Sequence, residues 1–320
     1  MSGRPQVLAT RRFAPPVRKR LASSFTLVHH DDDAPMPHGD LIRAIGGMRG
    51  VMLTPADRVD GALLDAAGPQ LEIVATISVG LDHIDVNAAR QRGVRIAYTP
   101  DVLDRATGEL AVAAMLALLR RIAEGDRMIR AGRPWRLAPE FMLGRSAAGL
   151  RFGCVGYGRI GREAARLAGA LGMEVVHCGR TFAGAPGEVR FDDLVSTSDV
   201  ISIHVPLTPE TRHLFGRDVF ARMKPDAVLV NTSRGPVVDE QALAAAVRDG
   251  VIGGAALDVF EDEPRVDPGL LALENVVLVP HLGSATRETR TAMGMMCVDA
   301  LETVLLGRGD ATNFLPDGNR

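Results

Sequence analysis

An arginine, a glutamate and a histidine in the second half of the chain each follow an apolar run that is typical of a buried strand. Arg234 follows the first run, Glu263 the second and His281 the third. The three runs are residues 228–230, 254–257 and 276–279. Because ligands of open parallel sheets bind beyond the carboxyl ends of the strands, we expect these side chains to converge on one site.

This set of residue types fits the reduction of a 2-oxo acid. A planar guanidinium can hold the substrate carboxylate with two hydrogen bonds. A histidine can protonate the carbonyl oxygen at neutral pH, and a carboxylate can orient and stabilise the protonated ring. Spacing alone does not choose among Glu261, Asp262 and Glu263. The alternative is structural, with His281 as a packing or capping residue and Arg234 as a bridge between loops.

A glycine pattern in the middle of the chain predicts a dinucleotide site. Gly156, Gly158 and Gly161 match the pattern Gly-x-Gly-x-x-Gly, between an apolar run at 152–155 and a helical pattern at 161–171. A turn of this kind presents free backbone N–H groups and the positive end of a helix to a pyrophosphate. A tight turn without a ligand is the alternative, and the strand and helix around the motif disfavour it.

The strand that follows this turn indicates which dinucleotide binds. An NAD site places an acidic residue about 20 residues beyond the motif, where it binds the ribose hydroxyls. Gly179 stands near that point, followed by Arg180 and Thr181. An arginine can pair with a 2′-phosphate, and a threonine hydroxyl can add a donor. We therefore predict a preference for NADP(H), with NAD(H) possible; a solvated loop arginine is the alternative for Arg180.

Short apolar runs alternate with helical patterns along most of the chain, which predicts an α/β protein built from parallel sheets. Predicted strands occupy residues 7–9, 26–28, 50–53, 73–75 and 94–96, then 152–155, 174–178, 200–205, 227–230, 253–257 and 276–279. We expect one domain at 1–99 plus 287–320 and a second at 100–286. Residues 104–129 read as one long helix, apolar nearly all round, which needs cover from its own domain or from a second subunit.

Composition gives no sign of a nucleic-acid or membrane partner. The 37 basic and 39 acidic residues leave a net charge of −2, and aromatic residues make up 4% of the chain. The basic cluster at residues 11–20 is expected to be solvated, and the three aspartates at 31–33 lack a spaced partner for a metal. Three scattered cysteines, with no apolar leader and no run long enough to span a bilayer, favour the cytoplasm.

Several motifs, in order along nearly the whole chain, strongly resemble the D-isomer-specific 2-hydroxyacid dehydrogenases. The nearest resemblance is to the glyoxylate/hydroxypyruvate reductase branch. The matching segments are residues 78–85, 99–103, the Gly156 turn, 231–235, 257–264 and 280–284.

The resemblance implies two Rossmann-like domains with the active site in the cleft between them. The substrate domain, flavodoxin-like and discontinuous, would have the nucleotide domain inserted in it. It implies His281 as the general acid/base, Glu263 as its partner, and Arg234 with the Val79 and Gly80 amides as substrate ligands. Implied cofactor contacts are Thr107, Gly156, Gly158, Arg159, Ile160, Gly161, Gly179, Arg180, Thr181, Val205, Pro206, Thr232, Ser233, Arg234, Asp258, His281 and Gly283. A homodimer through the 104–129 helix region is implied as well.

The leading hypothesis is an NADPH-preferring reductase of glyoxylate, hydroxypyruvate or another small 2-oxo acid, giving a D-2-hydroxy acid. The alternatives are another enzyme of the family, such as a phosphoglycerate dehydrogenase, and a non-catalytic NAD(P)-sensing protein like the corepressors of this fold. The chain departs from the branch at Trp135, which is displaced by one position. It departs also at Leu137, where a second tryptophan is expected, and at Tyr98, where asparagine is usual.

Overall fold

The computed structural model describes residues 3–316, so the first two and last four residues of the predicted first domain lie outside the described chain. Two compact units make up the molecule. One runs to Leu103 and resumes at Ala285, and the other comprises Asp104–Ser284. The first unit is therefore discontinuous, with the second inserted in it.

Short strands alternate with helices along both units. The strands are β1 (Gln6–Ala9), β2 (Thr26–His29), β3 (Gly50–Leu53), β4 (Ile73–Thr76), β5 (Arg95–Ala97), β6 (Arg151–Val155), β7 (Glu174–Cys178), β8 (Val200–Ile203), β9 (Val228–Asn231), β10 (Gly254–Leu257) and β11 (Val276–Leu278). The helices are α1 (Pro15–Ser24), α2 (His38–Ala44), α3 (Gly61–Ala67), α4 (Val86–Gln91), α5 (Asp104–Leu119), α6 (Ile122–Arg130), α7 (Arg159–Ala170), α8 (Phe191–Thr197), α9 (Arg217–Phe220), α10 (Glu240–Arg248), α11 (Pro268–Leu271) and α12 (Arg287–Leu306). Within residues 3–316, no helix is long and apolar enough to cross a membrane.

The first unit is a five-stranded sheet with the order β2-β1-β3-β4-β5, and every pair of neighbours is parallel. Helices α2, α3 and α4 contribute the apolar core on one face. The core of the other face comes from α1 and α12, so the last helix of the chain packs on the sheet of the first unit. The inner strands β3 and β4 are buried on both faces, which explains their continuous apolar runs.

The second unit is a six-stranded parallel sheet with the order β11-β10-β9-β8-β6-β7. One face is covered by α5 and α7 and the other by the shorter helices from α8 to α11. The strand order reverses between β6 and β8, which is the point where open α/β sheets bind ligands. The predicted fold class, two parallel α/β units of which one is discontinuous, is confirmed.

The prediction of one unbroken helix over residues 104–129 is wrong. Helix α5 ends at Leu119, and α6 begins at Ile122 after Arg121, which adopts a left-handed conformation with φ of 54°. The Leu119 carbonyl accepts a hydrogen bond from the Arg145 N–H at 2.8 Å, so a returning loop takes an acceptor at the helix end. Periodicity does not reveal this break, because the acceptor is used by a residue far along the chain.

The basic cluster near the N-terminus is paired with acids of the first unit. Contrary to the expectation of a solvated cluster, Arg11 is only 7% exposed, and its guanidinium lies 3.0 Å from the buried carboxylate of Asp57. Arg20 lies 2.6 Å from Glu302 of α12. These two ion pairs connect the segment after β1 to Asp57 and helix α1 to helix α12.

Candidate active site

His281 and Glu263 are in direct contact beyond the carboxyl end of the second sheet. The Nδ1 atom of His281 lies 2.8 Å from Oε2 of Glu263, and the two side chains are 42% and 36% exposed. A carboxylate on Nδ1 orients the imidazole and leaves Nε2 as the nitrogen that can meet a substrate. The pair therefore has the geometry of a general acid/base and its partner.

Asp258, directly after β10, holds the turn that carries His281. The Asp258 carbonyl accepts the His281 N–H at 2.9 Å, and its buried carboxylate accepts the N–H groups of Leu282 and Gly283, the latter at 2.8 Å. His281 has a φ of 52°, a left-handed conformation that costs a non-glycine residue on the order of 1 kcal/mol. Three successive N–H groups bound to one aspartate are what keep the turn in that conformation.

The backbone around Glu263 is packed against the loop that follows β9. A Cβ atom on Gly235 would lie 1.9 Å from the Phe260 carbonyl carbon, so only glycine permits this approach. The Phe260 N–H donates to Oε1 of Glu263 at 3.1 Å. Burial acts to raise the pKa of Glu263, but the hydrogen bond and charge of His281, the Phe260 N–H and the charge of Arg234 outweigh it and lower that pKa. Glu263 is therefore held as a carboxylate.

Arg234 occupies the loop between β9 and a short 3₁₀ helix, Gly235–Val237. Its Nη1 donates to the Ser233 carbonyl at 2.8 Å, and its own carbonyl accepts the Asn231 side-chain amide at 3.0 Å. Because its charge contributes to the low pKa of Glu263, the arginine shares the electrostatic surroundings of the histidine–glutamate pair. Arg234, which follows β9, is thus within electrostatic range of Glu263, and Glu263 contacts His281 directly.

The glycine turn leads from β6 into α7. Gly156 has a φ of 94°, and a Cβ atom there would lie 2.6 Å from the His204 carbonyl oxygen, so no larger residue fits. Gly158 precedes the helix and offers no side chain to cap it, while Gly161 is buried in the first turn. The first N–H groups of α7 are therefore available to an anionic ligand. Arg159, the first helical residue, pairs with Asp104 at 3.2 Å.

The end of β7 carries no acidic residue, because Cys178 is followed by Gly179, Arg180 and Thr181, all three exposed. The loop beyond them is closed by the carboxylate of Glu188, which accepts the Ala183 and Ala185 N–H groups at 2.9 and 3.0 Å. These N–H donors lower the pKa of Glu188, so this acid is occupied by its own loop.

A neighbouring carboxylate that the sequence pattern did not single out is Glu210. The pKa of Glu210 is lowered first by a hydrogen bond from Thr208, and the charge of Arg180 adds to the effect.

Thr232 supplies a direct test of whether a cofactor fits this edge of the sheet. The residue is 8% exposed, and its buried Oγ1 has no hydrogen-bond partner among the described residues. An unsatisfied buried hydroxyl calls for a partner, and at the end of β9 a bound ligand can supply one. Together with the close approach at Gly156, the orphaned hydroxyl fits a bound dinucleotide.

The other predicted cofactor contacts are linked to the same edge. The Thr107 hydroxyl of α5 donates to the Gly283 carbonyl at 3.2 Å, and Gly283 in turn binds Asp258. The Ser233 N–H and hydroxyl both donate to the Asn231 side-chain oxygen, at 3.0 and 2.8 Å. The remaining three are Ile160 in the first turn of α7 and Val205 and Pro206, two and three residues after β8.

Val79 and Gly80, the predicted substrate-binding amides, lie in the first unit after β4. The Ser78 carbonyl accepts both the N–H and the hydroxyl of Thr99, at 2.8 and 3.1 Å, and the Ser78 hydroxyl donates to the Gly80 carbonyl at 2.8 Å. Since carbonyl and N–H point in opposite directions within a peptide unit, these bonds fix the direction of the Val79 N–H. Sequence reasoning identified the loop but missed the two hydroxyl residues that hold it.

The structure also distinguishes Glu263 from its acidic neighbour. Glu261 pairs with another histidine, His213, whose Nε2 lies 2.6 Å from its Oε1. Glu261 is thereby directed away from His281, a distinction that spacing along the chain could not make.

Residues 112–283 match the family model described as the NAD-binding domain of the D-isomer-specific 2-hydroxyacid dehydrogenases. The chain belongs to this family. The match covers the glycine turn, Arg234, Glu263 and His281 of the site described above. A D-2-hydroxyacid dehydrogenase is an NAD(P)-dependent oxidoreductase acting on CH–OH groups, and this chain is such an enzyme.

Relatives of known name place this dehydrogenase in the glyoxylate/hydroxypyruvate reductase branch. It is 40% identical to a glyoxylate reductase of Thermococcus litoralis over 91% of this chain and 90% of the relative. A protein of Thermus thermophilus is 40% identical with a TM-score of 0.91, over 97% of this chain and 100% of the other. An NADPH-dependent glyoxylate/hydroxypyruvate reductase of Sinorhizobium meliloti, solved with NADP and malonate, is 34% identical with a TM-score of 0.83. The match covers 98% of this chain and 97% of the other.

Proposed function

We propose that this dehydrogenase is an NADPH-preferring reductase of glyoxylate, hydroxypyruvate or a similarly small 2-oxo acid, giving the D-2-hydroxy acid. The observation that carries the proposal is the His281–Glu263 pair beside Arg234, on the sheet edge that also holds the glycine turn. The names of the relatives in Thermococcus litoralis and Sinorhizobium meliloti support the substrate class. A steady-state comparison of 2-oxo acids with each cofactor tests it.

The second unit would hold the cofactor, which supplies a hydride when it is bound. The glycine turn and the first N–H groups of α7 would bind its pyrophosphate. Arg180 and Thr181 would bind a 2′-phosphate, since both are exposed where an NAD site carries an acid. The unsatisfied Thr232 hydroxyl would gain a partner.

Arg234 and the first unit would hold the substrate. A guanidinium can make two parallel hydrogen bonds to the substrate carboxylate and carbonyl oxygens. The Val79 and Gly80 amides would bind the same carboxylate, and the bonds from Thr99 to the Ser78 carbonyl fix the peptide unit that carries the Val79 N–H. In this proposal the first unit is the substrate domain, as the resemblance implies.

His281 would transfer the proton. Protonated, its Nε2–H donates to the substrate carbonyl oxygen and delivers the proton as that oxygen becomes an alkoxide. Glu263 accepts the Nδ1–H, so it orients the ring and stabilises the positive charge before transfer. The low pKa of Glu263 keeps this partner ionised down to acidic pH.

Replacement of Arg180 tests the cofactor preference. We expect Arg180→Ala to weaken NADPH binding about 10- to 100-fold, because a charge-assisted hydrogen bond contributes about 1.5–3 kcal/mol. NADH binding should change less than about twofold, since NADH lacks the 2′-phosphate that Arg180 is proposed to bind. The measurement is a fluorescence titration of both cofactors.

Arg222→Ala, which removes an exposed arginine paired with Asp192, is the control. Equal losses of affinity for NADPH and NADH in Arg180→Ala would contradict the role of Arg180.

We also propose that two copies of this chain associate through the 104–129 helix region, with most of the contact supplied by α6 and the segment after it. The described chain exposes large apolar side chains there, in contrast to the polar surface expected of an isolated subunit. The exposed fractions are 58% for Ile122, 53% for Ile129, 60% for Trp135, 97% for Leu137 and 64% for Leu143. Helix α5 itself is covered largely by its own unit, so the exposed partner surface lies after it. Sedimentation of the protein in solution tests the stoichiometry.

A further inference from the structure

A buried carboxylate at the start of α10 lies next to the loop that carries Glu263. Glu240 is only 6% exposed, and its Oε1 accepts the Glu261 N–H at 2.5 Å while its Oε2 accepts the Asp267 N–H at 3.2 Å. In return, the Glu240 N–H donates to Oε2 of Glu261 at 3.3 Å. One carboxylate thus binds both ends of the segment 261–267, with Glu263 between them.

The segment has few other internal hydrogen bonds that could define its shape. Within it, the Arg265 N–H donates to the Asp262 carbonyl at 2.9 Å. At its beginning, Phe260 packs against Gly235 and donates its N–H to Glu263. The far end, at Asp267, is bound by the second oxygen of Glu240. Loss of that carboxylate removes one backbone hydrogen bond at each end of the segment and loosens the support of Glu263, although Glu261 keeps its contact with His213 and Asp267 still caps α11.

Burial of the Glu240 carboxylate has a free-energy cost that the hydrogen bonds it accepts must offset. Burial raises the pKa of Glu240, the two N–H donors oppose the rise, and the charges of Glu261 and Asp267 add to it. An ionised carboxylate in such surroundings is a poor source of stability. Its two hydrogen bonds do, however, fix the segment in place.

We propose that Glu240 is a positioning residue for the His281–Glu263 pair, acting through the 261–267 segment. The inference rests on the proposed function of that pair in proton transfer. Oε2 of Glu263 lies 2.8 Å from the His281 ring, so a displacement of about 1 Å breaks the contact, and displacements of that size cost reactions about 10²-fold. Glu240 touches neither the histidine nor the arginine in the described contacts.

The test compares Glu240→Ala and Glu240→Gln with a control on the neighbouring residue. Asp239 caps the same helix by accepting the Ala242 N–H at 2.9 Å, so Asp239→Ala loosens α10 without removing the bonds to the segment. We expect Glu240→Ala to lower kcat for NADPH-dependent glyoxylate reduction about 10- to 100-fold. Glu240→Gln keeps one acceptor oxygen, so its kcat should lie between the values for Glu240→Ala and the wild type. NADPH affinity should stay within about twofold, because the glycine turn is untouched.

The pH profile separates positioning from a loss of stability. Glu263 accepts the His281 Nδ1–H as a carboxylate, and activity should fall as pH drops through the pKa of Glu263. That pKa is lowered by contacts with His281 and Phe260, and displacement weakens them. The acid limb of the Glu240→Ala profile should therefore move to higher pH, whereas Asp239→Ala should keep the wild-type profile. Unchanged kcat and an unchanged acid limb in Glu240→Ala would overturn the inference.

Amide hydrogen exchange provides a readout that needs no substrate. In the full chain, Glu240→Ala should exchange faster across residues 260–267, and Asp239→Ala should not. Wild-type protein without any glyoxylate or hydroxypyruvate reduction would refute the proposed function, and the exchange result would still decide whether Glu240 fixes the 260–267 segment. Exchange at 260–267 equal to the wild type in Glu240→Ala would refute that role alone.

Discussion

His281→Ala is expected to lower kcat for 2-oxo acid reduction about 10²- to 10⁴-fold, the range contributed by a positioned general acid. The variant removes Nε2, the only ring nitrogen of His281 left free by the contact between Nδ1 and Glu263. NADPH affinity should change little, since the residues proposed to bind its phosphates, the glycine turn and Arg180, are left in place. Single-turnover kinetics with saturating NADPH measure the effect on the chemical step.

The backbone conformation of His281 calls for a second variant. Its φ of 52° suits asparagine better than alanine, so His281→Asn removes the ring with less strain in the turn. Both variants should lose activity to a similar degree.

A matched control is the other histidine–glutamate pair of the second unit. His213 lies 2.6 Å from Glu261 and is 42% exposed, as His281 is. His213→Ala should keep kcat within a few-fold of the wild type. Equal losses in His213→Ala and His281→Ala would contradict a specific role for His281.

Arg234→Lys is expected to lower kcat/KM for glyoxylate about 100-fold, even though the positive charge is kept. A lysine ammonium is a point charge and cannot make two parallel hydrogen bonds to a carboxylate and carbonyl. The Arg234 guanidinium is also fixed by the hydrogen bond from its Nη1 to the Ser233 carbonyl, which lysine reproduces poorly. Most of the loss should therefore appear as a raised KM for the 2-oxo acid.

Arg265→Lys is the control for this substitution. Arg265 belongs to the neighbouring segment, its side chain is 80% exposed, and it pairs only with Asp262 among the ion pairs of the described chain. Its replacement should leave kcat/KM within about twofold, as surface ion pairs contribute little. A wild-type KM for glyoxylate in Arg234→Lys would exclude the arginine from substrate binding.

The fold was predictable because parallel strands buried on both faces leave continuous apolar runs, and those runs coincide with the observed strands. The glycine turn was predictable for a similar reason, since Gly156 occupies a position that excludes a Cβ atom. The break between α5 and α6 was not predictable. It depends on a loop residue, Arg145, that binds the helix end from a distant point in the sequence.

The site was predictable in its residue types but not in its pairings. Three acids in a row, residues 261–263, look alike in sequence, and only the fold turns Glu261 toward His213 and Glu263 toward His281. Glu240 resembles an ordinary acid in the first turn of a helix. Its burial against the 261–267 segment depends on contacts between residues more than 20 positions apart.

The central claim is a preference for NADPH and for small 2-oxo acids. The direct measurement is steady-state oxidation of NADPH and of NADH by the wild-type protein with glyoxylate, hydroxypyruvate, pyruvate and phenylpyruvate. We expect the highest kcat/KM with glyoxylate or hydroxypyruvate, and NADPH favoured over NADH by about tenfold or more, as expected for one arginine–phosphate contact. Equal use of NADH, faster reduction of phenylpyruvate, or binding of NADPH without turnover of any of the four acids would contradict the account.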